Sequence, residues 1–102
     1  MAWFLYLIEC QDGSIYTGIS NDVAKRYASH LAGTGAKYTR SHPPKKLLAT
    51  MKFSNRSIAS KAEYAVKSLS AKEKREFAEL NSYFSKNMTR RFHLFFKLKV
   101  KS

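Results

Sequence analysis

Hydrophobic positions recur along this chain at two spacings, and the switch between them marks out its elements. Trp3, Phe4, Leu5, Tyr6, Leu7 and Ile8 form one apolar, aromatic-rich run, and Ile15-Tyr16-Thr17-Gly18-Ile19 forms a second. Gln11-Asp12-Gly13-Ser14 lies between them. Asp and Gly tolerate the positive φ of a tight turn, so the pattern predicts paired antiparallel strands at about 3–10 and 14–19. With Asp12-Gly13 as a two-residue turn, Tyr6 stands opposite Ile19 and Tyr16 opposite Glu9. The two tyrosines then fall on different faces, and only a bulge or a longer turn brings them onto one.

Beyond Ser20 the spacing lengthens to that of a helix. Ser20, Asn21 or Asp22 can supply a cap for a helix over about 22–31. Val23, Tyr27 and Leu31 share its packed face, and Arg26 and His30 lie one turn apart on another. Gly33 and Gly35 end it, and a loop through Pro43 and Pro44 carries Lys37, Tyr38, Arg40 and His42. Leu47, Leu48, Ala49, Met51 and Phe53 suggest a third strand over about 46–53. Ser57 or Ser60 opens a second helix to about 69, burying Ile58, Ala62, Ala65, Val66 and Leu69. Ser70-Ala71-Lys72-Glu73 is a capping box, which starts a third helix to about 84 with Phe77, Leu80 and Phe84 along it. From Leu94 to Val100 apolar residues alternate with others, lysines among them, at the period of a strand. The expected organisation is one domain over 1–84 and a basic, alternating extension over 85–102. The fold class is α/β in the α+β sense: a small, mainly antiparallel three-stranded sheet flanked by helices.

Bulk composition agrees with one modest core, since 102 residues with 44% hydrophobic content cannot build two. No apolar run approaches a membrane span, and the single cysteine forms no internal disulfide, so a cytoplasmic protein without a membrane partner is expected. Charge changes the picture more. Nineteen Lys and Arg against seven Asp and Glu give a net charge of +12, whose self-repulsion an anionic partner would relieve. Nucleic acid is the first candidate, DNA ahead of RNA, with RNA not excluded.

Hydrolysis of a phosphodiester needs an aimed water, cations on the phosphate and an anchor for a hard divalent ion. Tyr6 and Tyr16 on the hairpin are candidate proton acceptors. Arg26 offers a planar fork to phosphate, and His30 can donate to phosphate or relay a proton. Gly18 lets a phosphate or the next helix approach the backbone. Lys37, Tyr38 and Arg40 form a basic loop with an aromatic, suited to phosphates and a stacked base. Glu63 could anchor one Mg²⁺ or Mn²⁺, although spacing alone also pairs it with Lys67 at i+4. One cysteine and three histidines are too few for a zinc cluster.

Taken in order, these residues resemble the GIY-YIG nuclease family over about residues 2–80. Leu5-Tyr6-Leu7 is a loose form of the first motif and Tyr16-Thr17-Gly18 stands for the second. Arg26 follows Tyr16 at the family's ten-residue spacing, His30 falls at its His or Tyr position, and Glu63 at its metal-binding glutamate. Asp12 to Gly18 and Gly35 to Arg40 look like the small stand-alone bacterial subgroup. The resemblance implies a divalent-metal-dependent DNA endonuclease. Tyr16, or else Tyr6, activates water, Arg26 and His30 handle phosphate and protons, and Glu63 holds magnesium or manganese. It also implies that both tyrosines share one cleft. The chain departs from the pattern at Ile19, where some members carry a lysine that Lys37 would have to replace, and it shows no match to a downstream asparagine. A non-catalytic nucleic-acid-binding module is therefore the alternative, and a structural role through the alternating tail the third.

Overall fold

The computed structural model describes residues 2–87; the expected strand over 94–100 lies outside the described residues. The order is β1 (Trp3–Cys10), β2 (Ile15–Ser20), α1 (Val23–Leu31), α2 (Lys37–Ser41), β3 (Pro44–Phe53), α3 (Arg56–Lys67) and α4 (Ala71–Asn87). The strands form one antiparallel sheet in the order β2-β1-β3. The central strand β1 is covered on both sides, which is why its sequence runs apolar without alternation. On one side Leu5 and Leu7 join Ile15, Met51 and Phe53 beneath Ala59, Ala62 and Val66 of α3 and Phe77 of α4. On the other, Tyr6, Ile8 and Cys10 pack with Tyr16 and with Val23 and Tyr27 of α1.

The hairpin corrects the two-residue turn. Gly13 holds φ +85°, its N–H donates to the Cys10 carbonyl at 2.9 Å, and the Cys10 N–H donates to the Ser14 carbonyl at 2.8 Å. Three residues thus span the turn, and the register moves by one: Tyr6 faces Gly18 and Ile8 faces Tyr16. The longer loop brings both tyrosines onto one side of the sheet, because a one-residue slip exchanges the faces of a strand.

Other boundaries differ from the sequence expectation for local reasons. In α1 the face that packs is Val23, Tyr27 and His30, so His30 is buried while Leu31 is 57% exposed. Residues 37–41 form a short helix and not a loop. The cap of α3 is Asn55, whose Oδ1 accepts from the Ile58 N–H at 3.0 Å; neither Ser57 nor Ser60 serves, and Ile58 is exposed. The capping box stands as expected, with Ser70 N–H on Glu73 Oε1 at 3.0 Å and Glu73 N–H on Ser70 Oγ at 3.1 Å. That helix continues beyond 84 to Asn87. Among the described residues no helix is long and apolar enough to cross a membrane.

Candidate functional site

Strand pairing fixes the first layer of the site. Gly18 lies directly across from Tyr6, and a Cβ added there would sit 2.6 Å from the Tyr6 hydroxyl oxygen and 3.1 Å from Cε2 of Tyr16. The missing side chain is filled by the Tyr6 ring, so Gly18 makes room for a tyrosine within the fold. The Tyr6 hydroxyl lies 3.0 Å from His30 Nε2, and His30 Nδ1 lies 2.7 Å from Thr39 Oγ1. Thr39 in turn donates to the Ala36 carbonyl at 3.0 Å. A hydroxyl has one proton to give, so Thr39 accepts from His30, which carries its proton on Nδ1 and accepts the Tyr6 proton on Nε2. Gly35 leaves room for this ring, since a Cβ there would sit 2.5 Å from His30 Nδ1.

Tyr6 and His30 are each 1% exposed. Burial, then the neighbouring Tyr16, pushes the Tyr6 phenol up to about 12, with Arg26 pulling the other way. Burial, reinforced by Arg26, holds the His30 pKa below its ordinary value. Both groups are therefore neutral near pH 7, and both lie beneath the surface.

The outer layer is aromatic. Tyr16 lies with its ring centroid 5.0 Å from that of His30 and 5.9 Å from that of Tyr38, the planes of the two tyrosines 29° apart. Tyr38 stacks on His42 at 4.1 Å, and His42 Nδ1 pairs with Asp12 Oδ2 at 2.5 Å. Hydrogen bonds from Ser14, then from His42, hold the Asp12 carboxyl well below the usual carboxylate range. Lys37 and Arg40 are exposed on the same short helix as Tyr38, and Arg26 is exposed on α1.

A cleft of about 340 Å³ opens at the edge of β2, lined by Ile15, Tyr16, Thr17, Tyr38, Lys67 and Lys74. The Lys74 ammonium donates to the Ile15 carbonyl at 3.3 Å, covering part of a strand edge that would otherwise invite pairing. Burial, then the nearby Lys67, lowers the Lys74 pKa. Thr17 is 2% exposed, and its hydroxyl has no hydrogen-bond partner in the described structure. A buried unpaired hydroxyl costs about 1–3 kcal/mol.

Glu63 projects from α3, on the sheet side opposite Tyr6 and His30. Its Oε2 pairs with Lys67 Nζ at 3.3 Å, and Lys67 reaches the cleft beside Tyr16. The fold thus brings Tyr6, Tyr16, Arg26, His30 and Tyr38 together, and connects Glu63 to them through a lysine around the sheet edge. Among the described residues no three His, Cys, Asp or Glu side chains gather to hold a metal ion.

Residues 2–76 match the GIY-YIG catalytic domain. The chain belongs to the GIY-YIG family. It is 55% identical over 76 residues to a UPF0213 protein of Cupriavidus necator, covering 74% of this chain and 83% of that one. Among solved structures it resembles the UPF0213 protein of Bacillus halodurans, with TM-score 0.52, 41% identity and coverage of 88% of this chain and 96% of that one. A protein of E. faecalis gives TM-score 0.55 at 40% identity, covering 78% and 85% of the two chains.

Around this cleft several residues have no distinct signal in the sequence. Thr17 reads as an ordinary strand former, and Lys67 only as a partner for Glu63. Lys74 looks like one surface cation among many. The cleft beside Tyr16 is lined by Lys67 and Lys74 and not by Lys37. The buried asparagine downstream of Glu63, Asn81, donates to the Thr50 carbonyl of β3 at 3.0 Å and holds α4 to the sheet.

Proposed function

We propose that this protein holds the backbone of a nucleic-acid strand in the cleft along the β2 edge. The observation that carries the reading is the lining of that cleft: two lysines and two tyrosines meet in one concavity. Phosphate oxygens would be neutralised by Lys67 and Lys74, beside the rings of Tyr16 and Tyr38. The surplus of twelve positive charges supplies long-range attraction without choosing a sequence.

A second reading adds metal-dependent hydrolysis, and the position of Tyr16 beside Lys67, the lysine that pairs with Glu63, favours it. Tyr16 is the phenol at the cleft, whereas Tyr6 already donates to His30 and is buried. A hard divalent ion such as Mg²⁺ or Mn²⁺ takes one or two carboxylates and completes its shell with water and phosphate oxygens. Glu63 fits that need once Lys67 releases its Oε2. Bound there, the ion would supply Lewis-acid charge to the scissile phosphate.

One experiment separates the readings. Binding of a fluorescent DNA strand is measured against salt, and nicking of supercoiled plasmid is measured with and without Mg²⁺. Binding that weakens steeply with salt, and weakens again in Lys67→Ala and Lys74→Ala, supports the first reading; no binding at low salt overturns both. Metal-dependent nicking lost in Glu63→Ala, with binding retained, supports the second. Nicking of equal rate in that variant identifies a contaminant.

A further inference from the structure

Tyr64 is 83% exposed, the most exposed of the large hydrophobic side chains in the described structure. Nothing in the core or in the cleft accounts for it. Helical spacing puts Arg56, Ser60, Tyr64 and Lys67 on one face of α3, with Ser57 and Lys61 alongside. The opposite face, Ala59, Ala62 and Val66, is the one that packs on the sheet. Arg56, Ser57, Ser60, Lys61 and Tyr64 line one shallow concavity of about 650 Å³. Glu63 is the one acidic residue of α3, and Lys67 already pairs with it. The outer face of α3 is therefore cationic, hydroxyl-bearing and aromatic. It ends at Lys67, a lining residue of the cleft.

We infer that the outer face of α3 is a track for single-stranded nucleic acid leaving the cleft, with Tyr64 as a stacking platform for one base and Lys61 and Arg56 on the phosphates beyond it. This rests on the reading of the cleft as a backbone-binding site, and extends it to a second surface. Three properties suit this occupant. The charge is complementary to phosphate. A solvent-exposed phenol ring presents a π-face to any base, which gives affinity without sequence preference. The face is also long enough for more than one nucleotide: twelve helical residues at 1.5 Å span about 18 Å. Arg56 lies over the Trp3 ring at 5.2 Å, which fixes its guanidinium at the far end of the track.

The test uses the full chain and fluorescently labelled oligo-dT strands of four and twelve nucleotides, with affinities measured at several salt concentrations. Tyr64→Ala is expected to weaken the twelve-nucleotide complex about five-fold or more, the loss of one base stack, and to leave the four-nucleotide complex unchanged. Tyr64→Phe should restore it. Lys61→Ala should lower the salt slope for the longer strand by about 0.7, the value for one phosphate contact on a single strand. Equal affinities for wild type, Tyr64→Ala and Lys61→Ala on the long strand, with Lys74→Ala still weakened, would overturn the track and leave the cleft standing. Absence of binding by wild type would remove both. A change of mass in solution on Tyr64→Ala, with strand binding unaltered, would assign this face to self-association and overturn the inference.

Discussion

Replacing Thr39 by valine is the sharpest probe of the buried polar chain. The substitution preserves shape and removes only Oγ1, which is both the acceptor for His30 Nδ1 and a donor to the Ala36 carbonyl. Ala36 keeps the Arg40 N–H at 3.3 Å, so the loss falls on His30. With the ring 1% exposed, water cannot take the place of Thr39, and the orphaned N–H costs about 1–3 kcal/mol. The ring can respond by moving its proton to Nε2, but the Tyr6 hydroxyl then loses its acceptor, and the penalty passes to Tyr6. Partial relaxation leaves about 1–2 kcal/mol, which for a domain of this size lowers the melting temperature by roughly 4–16 °C. Thermal unfolding measures that shift. Long-range ¹⁵N–¹H spectra of the imidazole report the tautomer directly, with Nε2 as the unprotonated nitrogen in wild type. Thr39→Ser keeps the acceptor and should keep that tautomer, although it sheds a buried methyl worth about 0.8 kcal/mol. A wild-type ring protonated at Nε2 instead, or a Thr39→Val variant as stable as wild type, would refute the direction assigned to the whole chain.

Gly18→Ala should destabilise by about 1–3 kcal/mol in denaturant titration, because its Cβ meets the buried Tyr6 ring at 2.6–2.7 Å and neither can withdraw without straining the sheet; a neutral or stabilising result would show that Tyr6 has room to move. The pH dependence follows from the depressed His30 pKa. Above its unfolded value of about 6.5 the neutral ring costs the fold nothing, whereas below it the unfolded chain gains a proton that the native site resists. Stability should therefore fall as pH drops below about 6.5, by at most about 1.4 kcal/mol per pH unit from this group. Unfolding curves from pH 7.5 to 5 test this: His30→Asn should flatten the slope, and an unchanged slope would locate the acid sensitivity elsewhere.

Much of the fold was legible because it rests on local chemistry. The capping box Ser70–Glu73 makes both of its reciprocal hydrogen bonds, and the apolar run of β1 reads as a strand because it is buried on both sides. What was hidden depends on counts that sequence leaves ambiguous by one. Asp12-Gly13 suits a two-residue turn as well as the three-residue loop that forms, and that single residue decides whether Tyr16 shares a face with Tyr6. Likewise i, i+7 and i, i+8 both satisfy an amphipathic helix, and the choice between them buried His30 in place of Leu31. The site residues were legible as an ordered set. Their roles depend on depth, which spacing does not carry: Tyr6 and His30 are interior groups, while Tyr16 and Tyr38 meet the cleft.

The acidic residues sharpen what the cleft can do. Five of the seven are engaged within the fold: Glu9 by Arg75 and Lys46, Asp12 by His42, Asp22 as the cap of α1, Glu73 by the Ser70 N–H in the capping box of α4 and Glu63 by Lys67. Four of those engagements hold a turn, a cap or a strand end, and the Glu63–Lys67 pair alone adjoins the cleft. On a half-exposed helix such an i, i+4 pair contributes only about 0.3–0.5 kcal/mol, so either partner can be recruited at little cost. Binding and hydrolysis then differ in which partner is taken. Phosphate alone would draw Lys67 away and leave a bare carboxylate near a polyanion, which would weaken that binding. Phosphate arriving with a divalent ion would recruit both members of the pair and leave neither charge uncompensated. A strand held in this cleft and an ion held by Glu63 would on this account favour each other's binding, through a pair too weak to resist them together.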